Sequence, residues 1–351
     1  MAVYIIASSV VSALKTLGEN ILPGEIANAE NGCLRIFEPN YKEYLPPAML
    51  RRMSRIVKFS LVSAFDCLAQ LQDFLPEVII TASSFGCVDD TGVFLLQMHE
   101  NEERLLNPSA FIRSTHNAVG GQIALIKGLH ITNLTHSQKQ ASFESALIDG
   151  MLMLEAGEVE NALIGGFDEQ TDLSISLHKQ MACLSEEPIT REILLAGKNK
   201  TITPGEGAGF FVLSNQISSA NCSELLGVEI LSCGNKDLET VTTDFLSKFK
   251  LKNTDIDLLI PGIDGTPKTK ALLKLLDSKF ETSTVAGFKH LSGCFGTDSA
   301  FALWLANSAI LNANVGEIAC LRGEAKRSFE KVLVINSTGN NSWSFMLLSK
   351  C

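Results

Sequence analysis

The chain has 351 residues, of which 46% are hydrophobic and 19% charged, enough apolar material for one large domain or two coupled halves. Its 29 Lys and Arg against 39 Asp and Glu give a formal net charge of −10, which argues against a nucleic-acid-binding surface. The basic residues Arg51, Arg52, Arg55 and Lys58 lie at helical spacing, and we interpret them as a solvated helix face.

The nine cysteines include no Cys-x-x-Cys pair, and most have apolar neighbours, as reduced core thiols do. His116, His130 and His136 lack metal-ligand spacing, so neither a metal nor a cofactor is predicted. The apolar N-terminus has no basic region and predicts a first strand, not a signal peptide. Because no apolar run is long enough to span a bilayer, we expect a cytoplasmic protein.

Hydrophobic periodicity predicts strands and helices that alternate in two successive series. The first series has predicted strands at 3–6, 77–80, 130–135, 161–165 and 209–213, and predicted helices at 49–72, 91–102 and after 141. The second has predicted strands at 226–232, 256–260, 285–288, 332–336 and 344–348, and predicted helices at 241–249, 268–280 and 299–311. Two series of the same order indicate an α/β protein with a duplicated β-α-β-α-β-α-β-β unit and two mixed sheets layered with helices.

The stretch 134–169 organises the rest of the chain and predicts strand, sharp turn, helix and strand. Apolar or small residues recur at helical spacing and fill much of the remaining helix surface, so we expect a buried helix that ends at Gly157. Many nucleophiles are presented at such a helix start, where the dipole and free N–H groups lie. The residue at that point is Gln140, and a carboxamide is not a nucleophile.

This stretch, the segment 117–121 (NAVGG), the segment 203–209 (TPGEGAG) and the turn from Lys289 to Gly293 together resemble the β-ketoacyl synthase family of the thiolase fold. The resemblance follows the order of the motifs along almost the whole chain. It implies a thiolase-like α/β fold, with a ketosynthase-like N-terminal half at 1–220 and a C-terminal half at 221–351 in one compact unit.

In that family a Cys before the buried helix takes the acyl chain from an acyl carrier protein, and two His residues assist decarboxylation and condensation. The resemblance places Gln140 at the Cys position, Asp264 at the first His and Cys294 at the second, while Lys289 is retained. The gating Phe of the C-terminal glycine loop falls at approximately Asn340. Thioester formation needs a thiolate, and Asp264, if ionised, would repel an enolate, so no catalytic position is intact.

The Gln140 replacement and the loss of both His positions resemble the chain length factors, ketosynthase-like subunits that form heterodimers with an active ketosynthase. The short chain and the stretch NPSAFIRSTHN resemble subunits of aryl-polyene and flexirubin-type systems. This resemblance implies an active ketosynthase partner and indirect contact with an acyl carrier protein. It also implies a tunnel for the growing chain, lined here by Phe85, Ala110, Phe111, His116, Gln140 and Asn340.

Two other functions stay open from the sequence. A malonyl-carrier decarboxylase with Gln in place of Cys normally keeps its His pair, so Asp264 and Cys294 count against it. An acyltransferase or esterase could use Cys294 as its nucleophile, with His290 and Lys289 nearby, but a reactive Cys needs a positioned base and an open site.

Overall fold

Strands and helices alternate along most of this chain, whose structure is a computed structural model that describes residues 1–19, 21–24, 29–30, 32–104, 106–180, 190–217, 223–339 and 341–351. The strands are β1 (Tyr4–Val11), β2 (Ala29–Glu30), β3 (Cys33–Leu34), β4 (Val78–Ala82), β5 (Thr132–His136), β6 (Asn161–Asp168), β7 (Gly207–Ser214), β8 (Ser223–Ser232), β9 (Leu258–Pro261), β10 (Thr284–Ala286), β11 (Cys320–Arg322), β12 (Lys331–Gly339) and β13 (Ser342–Lys350). The helices are α1 (Tyr41–Tyr44), α2 (Pro47–Leu50), α3 (Arg55–Ala69), α4 (Val88–Glu100), α5 (Pro108–Arg113), α6 (Ala118–Lys127), α7 (Ser142–Ala156), α8 (Asp172–Gln180), α9 (Arg191–Ala196), α10 (Leu238–Lys248), α11 (Lys270–Lys279), α12 (Lys289–Ser292) and α13 (Ser299–Asn312).

The main sheet has the same strand order in its two halves. In the N-terminal half β1 is followed by β7, β6, β4 and β5, and in the C-terminal half β8 is followed by β13, β12, β9 and β10. The predicted duplication is therefore confirmed. The two sheets expected from the sequence are joined into one, because Tyr4 pairs with Glu224 and Ile5 with Ser223 at the β1–β8 boundary. The proposed division at residue 220 lies outside the described residues and stays a prediction.

Helices α7 and α13 form the central layer between the two half-sheets. Helix α13 contacts β1 and β7 on one side and β12 and β13 on the other, while α7 contacts β4, β6 and also β8. Both helices contribute to one apolar core, which explains why their sequences are apolar on nearly every face. Helices α3 and α6 cover the outer face of the N-terminal half, and α10 and α11 cover that of the C-terminal half.

Several predicted helix boundaries need correction. Helix α3 begins at Arg55 and not at residue 49, because the short helix α2 and a turn precede it. Helices α5 and α6 were not predicted as helices. The pair Gly120–Gly121 lowers the helix propensity of α6, but Val119 and Ile123 are buried against the sheet, and that packing overrides propensity. Of the helices in the described residues, none combines the length and apolarity needed to cross a bilayer.

The interpretation of the basic cluster as a solvated face is wrong for Arg55. Its two terminal nitrogens donate to the two carboxylate oxygens of Glu206 at 2.6 and 2.8 Å, and Glu206 is fully buried. The backbone N–H groups of Ile36 and Gln170 donate to the same carboxylate. Glu206 of the GEGAG segment therefore anchors the loop after β3 to the start of α3.

The glycines of the same segment allow two backbones to approach closely. Gly205 donates its N–H to the carbonyl of Cys294, and Cys294 donates to the carbonyl of Thr203. A Cβ on Gly205 would lie 2.0 Å from the carbonyl oxygen of Ser292. Gly293, on the other side of this contact, has a φ of +74° that favours glycine. This backbone contact fixes the position of Cys294.

We expect Gly205→Ala to lower the free energy of unfolding by about 2–3 kcal/mol, because the added methyl group meets backbone that cannot rotate away. Gly121→Ala is the matched control, since a Cβ there has open space in a helix. It should stabilise the protein by up to about 1 kcal/mol. Urea unfolding followed by circular dichroism measures both, and equal stabilities for the two variants would contradict the assigned contact.

Candidate functional site

A strained turn presents Gln140 at the start of α7. Lys139 has a φ of +54°, a left-handed conformation that is uncommon for residues other than glycine. The hydroxyl of Ser142 donates to the carbonyl of Lys139 at 2.7 Å and accepts from the N–H of Gln138 at 2.7 Å. These two bonds fix the turn, and the Gln140 side chain is exposed at its tip. The structure thus places Gln140 in the turn that precedes α7, and its assignment to the family's Cys position stays a prediction.

The C-terminal half faces Gln140 through the end of β12. A Cβ on Gly339 would lie 3.9 Å from Oε1 of Gln140, and the turn 139–141 contacts β12. The next residue, Asn340, lies outside the described residues, so its predicted place in the tunnel stays a prediction.

Lys289 belongs to a buried network at the same place. Its Nζ lies 2.9 Å from Oδ2 of Asp298, and Nδ2 of Asn336 donates to Oδ1 of Asp298 at 3.1 Å. Burial alone would lower the pKa of Lys289, but the charge of Asp298, with Cys294 and Asp264 adding to it, raises the pKa overall. Lys289 is therefore a permanent cation neutralised by Asp298.

The carboxylate of Asp264 accepts hydrogen bonds from residues of its own loop. Its Oδ1 accepts from the N–H of Thr266 at 2.9 Å, from the hydroxyl of Thr266 at 2.7 Å and from the hydroxyl of Thr269 at 3.2 Å. These bonds hold the short turn before α11. A carboxylate that accepts three hydrogen bonds can neither donate to an enolate nor neutralise its charge.

Cys294 is a poor nucleophile in this setting. Burial raises the pKa of its thiol to about 12, and although the positive charge of Lys289 lowers it, the negative charges of Asp298 and Asp264 act in the opposite direction. His290, the neighbouring candidate base, donates from Nε2 to the carbonyl of Ile318 at 2.9 Å. The structure therefore counts against a thiolate at Cys294.

Glu144 is a buried acidic residue that our sequence reasoning missed. It lies in the first turn of α7, is fully buried, and accepts at Oε1 from the hydroxyl of Ser344 at 2.8 Å. Burial raises the pKa of Glu144 to about 7, and the negative charge of Asp298 adds to the increase. The hydrogen bonds of Ser344 and Ser299 lower the pKa, but by less. The helix also carries Asp149 and Glu155, so the available signal was the position of Glu144 next to the apolar residue Phe143 in the first turn.

Asp168 joins the two halves beside this network. Its Oδ1 accepts from the hydroxyl of Ser83 and the N–H of Ser84 at 2.9 Å each, and from the N–H of Phe85 at 3.3 Å. Its Oδ2 accepts from the N–H and the hydroxyl of Thr297, at 2.9 and 3.0 Å. Asp168 therefore holds the loop that carries Phe85 against the residue that precedes Asp298.

The predicted tunnel residues lie in and beside a helical hairpin, α4–α5. The ring of His116 packs on Gly86, with Cγ 3.0 Å from the place of a Cβ on Gly86. Phe85 and Phe111 are 61% and 55% exposed, whereas Ala110 is 2% exposed and so is buried within the chain itself. The structure therefore places His116 against Gly86, next to Phe85 in the chain, and places Ala110 behind the exposed surface.

Comparison with known proteins identifies the fold. Residues 35–201 match the family model of the β-ketoacyl synthase N-terminal domain. A structure described as the ishigamide ketosynthase/chain length factor has a TM-score of 0.80 and 17% identity, over 100% of this chain and 99% of that one. A β-ketoacyl synthase from Burkholderia phymatum STM815 has a TM-score of 0.80 and 15% identity, with the same coverage.

A ketosynthase (ApeO) in complex with its chain length factor (ApeC), from Xenorhabdus doucetiae, has a TM-score of 0.75 and 16% identity, over 99% of this chain and 98% of that one. No curated protein matches the sequence. The chain has the thiolase-like fold of ketosynthases.

We expect Cys294 to react slowly with iodoacetamide at pH 7.5, because its thiol has a raised pKa and is half-buried. Cys351, exposed at the C-terminus, is the internal reference in the same digest. Peptide mass spectrometry should show Cys351 alkylated at least tenfold faster. Labelling of Cys294 as fast as that of Cys351 would contradict the assignment and favour an acyltransferase.

Proposed function

We propose that this protein is a non-catalytic chain length factor that pairs with an active β-ketoacyl synthase and shapes the tunnel for a polyketide or polyene chain. The observation that carries the proposal is Gln140 at the tip of the strained turn before α7, where the family has its nucleophilic Cys. The turn itself is kept, with its bonds to Ser142, while its reactive group is lost. An inert side chain presented at this position fits a structural partner better than an enzyme.

The other catalytic positions support the same conclusion. Asp264 accepts hydrogen bonds from Thr266 and Thr269, and Lys289 is neutralised by Asp298. Decarboxylation needs hydrogen-bond donors aimed at a developing negative charge. Because an acceptor replaces one donor position and a protonated thiol the other, a malonyl-carrier decarboxylase is disfavoured.

The edge strand β5 supports a partner subunit. It forms the end of the sheet next to β4, so its outer edge pairs with no strand in the described part of the chain. Leu134 on this strand is exposed, as are Leu125 on α6 and Leu152 on α7, the helices that flank it. An exposed strand edge with apolar neighbours is a liability for a monomer and a suitable surface for strand pairing with another chain.

The α4–α5 hairpin extends this apolar surface. Asp90 is the buried residue that α4 contributes, and its carboxylate pairs with Arg113 of α5 at 2.9 Å. The rings of Phe94 and Phe111 contact each other with centroids 5.4 Å apart. Large apolar side chains are nevertheless exposed across the hairpin, namely Val93, Leu95, Leu96, Phe111 and Ile112. A partner that covers this hairpin would bury the side chains that we assign to the tunnel.

These features suggest how the subunit would act. Phe85, Phe111 and His116 would contribute the wall of a tunnel that the partner closes, and Gln140 and Asn340 would lie near its reactive end. Ala110 would affect the tunnel indirectly, because a larger side chain at this buried position would push Phe111 into the tunnel. The growing chain would be attached to the partner's Cys, and an acyl carrier protein would dock mainly on the partner. Each added unit must fit the remaining space, so bulk at these positions would set product length.

The direct test is co-expression of this protein, tagged, with the ketosynthase encoded beside it. We expect a stable one-to-one complex that extends malonyl units, with neither chain active alone. Leu134→Arg should abolish co-purification, because it places a charge at the apolar edge of β5. Leu75→Arg is the control at another exposed Leu: Leu75 is 58% exposed and Leu134 36%, and the neighbouring Phe74 lines a cleft beside β1 and β7.

Purification of this protein alone as a homodimer, with no effect on the ketosynthase, would overturn the proposal. If the complex forms equally well with Leu134→Arg, the partner subunit is confirmed but the β5 edge is not its contact surface.

A further inference from the structure

The buried carboxyl group of Glu144 has no part in the function proposed above. It follows Gln140 by one helical turn and its side chain points into the central layer, away from solvent. Its bond to Ser344 connects α7 of the N-terminal half with β13 of the C-terminal half. A Leu at this position would satisfy the apolar core, so the carboxyl group needs an explanation of its own.

The charges around Glu144 do not balance if it is ionised. Asp298, fully buried at the start of α13, is the charged group that acts on Glu144, and Lys289 is the cation that pairs with Asp298. Asp264 also acts on Lys289 from the turn before α11. A second buried carboxylate would therefore leave an uncompensated negative charge in the core, whereas a protonated Glu144 leaves Lys289 and Asp298 as a neutral pair.

The hydrogen bonds point in the same direction. Both oxygens of Asp298 already face a cation or a donor, Lys289 and Asn336. In contrast, Oε2 of Glu144 and the hydroxyl of Ser299 have no hydrogen-bond partner within the described residues, although Ser299 lies close enough to affect Glu144. A proton on Glu144 turns one unsatisfied acceptor into a donor that these neighbours can accept.

We propose that Glu144 is a positioning residue that, in its uncharged form, ties the turn carrying Gln140 to the C-terminal half through Ser344 and the Lys289–Asp298–Asn336 network. Asn336 begins the strand end whose Gly339 faces Gln140. Loss of the proton would introduce repulsion between Glu144 and Asp298 and would loosen this strand end. The inference concerns the chain itself and does not depend on the proposed function.

The pH dependence follows from the raised pKa. The stabilising contribution of protonated Glu144 is complete below the ordinary value of 4.5 and is lost as pH rises through about 7. Burial also raises the pKa of Asp168 to about 6 and of Glu169 to about 7, so the protein as a whole should lose stability over this range. The difference in stability between wild type and a Glu144 variant isolates the effect of Glu144, because both proteins contain Asp168 and Glu169.

The test compares Glu144→Gln, which mimics the protonated group, with wild type at pH 6.0 and 8.5 in the full-length protein. The matched control is Glu155→Gln, an exposed position on the same helix. The measurements are Tm and hydrogen exchange of residues 334–345, corrected for intrinsic rates. We expect the Tm of Glu144→Gln to exceed that of wild type by a larger margin at pH 8.5 than at pH 6.0, with at least threefold slower exchange in this segment at pH 8.5.

Glu144→Leu removes the hydrogen bonds and should exchange faster than wild type at both pH values if it folds, while Glu155→Gln should follow wild type throughout. A Glu144→Gln protein whose Tm and exchange follow wild type at both pH values would overturn the proposal. So would a Glu144→Gln protein that is already less stable at pH 6.0, since the ionised form would then be the one that the fold requires.

Discussion

The structure depends on the way Asp168 holds the two halves together at the edge of the central layer. Its carboxylate accepts from Ser83, Ser84 and Phe85 in the N-terminal half and from Thr297 in the C-terminal half. Ser84 packs so tightly on Gly296 that a Cβ there would lie 2.1 Å from that of Ser84. The loop after β4, the loop before α13 and the network at Lys289 are therefore fixed relative to one another before any partner binds.

This framework also holds the residues that we assign, from the sequence, to the catalytic positions of a ketosynthase. The turn before α7 still presents one side chain at a helix start, but Gln140 cannot form a thioester. Lys289 forms an ion pair with Asp298, and Asp298 also accepts a hydrogen bond from Asn336. Lys289, Asp298 and Asn336 thus bind one another, which supports the structural role that we propose for this subunit.

The sequence predicted the fold where hydrophobic periodicity was strong. The buried helix ending at Gly157 and the duplicated strand order follow from apolar runs bounded by glycine, and both are confirmed. Helix α6 was missed because Gly120 and Gly121 mask its pattern, and Gly120 is required by contact with Asn133 and Thr81. Local propensity could not reveal that tertiary requirement.

The candidate site was predicted in part. Gln140, Asp264, Lys289 and Cys294 could be placed from motifs, and the structure brings the last three into one electrostatic network. The roles of Glu144, Asp168 and Asp298 could not be predicted. Glu144 and Asp168 bind Ser344 and Thr297, each more than a hundred residues away, and a linear sequence does not show that Asp298 is buried. Arg55 shows the same limit, since its helical spacing with exposed basic residues concealed the buried Glu206.

The central claim is that this chain sets the length of a product made by its partner. The most direct measurement is the product length distribution of the reconstituted pair with Phe111→Ala in this subunit, beside Phe37→Ala as a control at another exposed Phe. The account predicts longer products with Phe111→Ala, shorter products with Ala110→Leu, and no change with the control. Unchanged products from both Phe111→Ala and Ala110→Leu in an intact, active complex would contradict it.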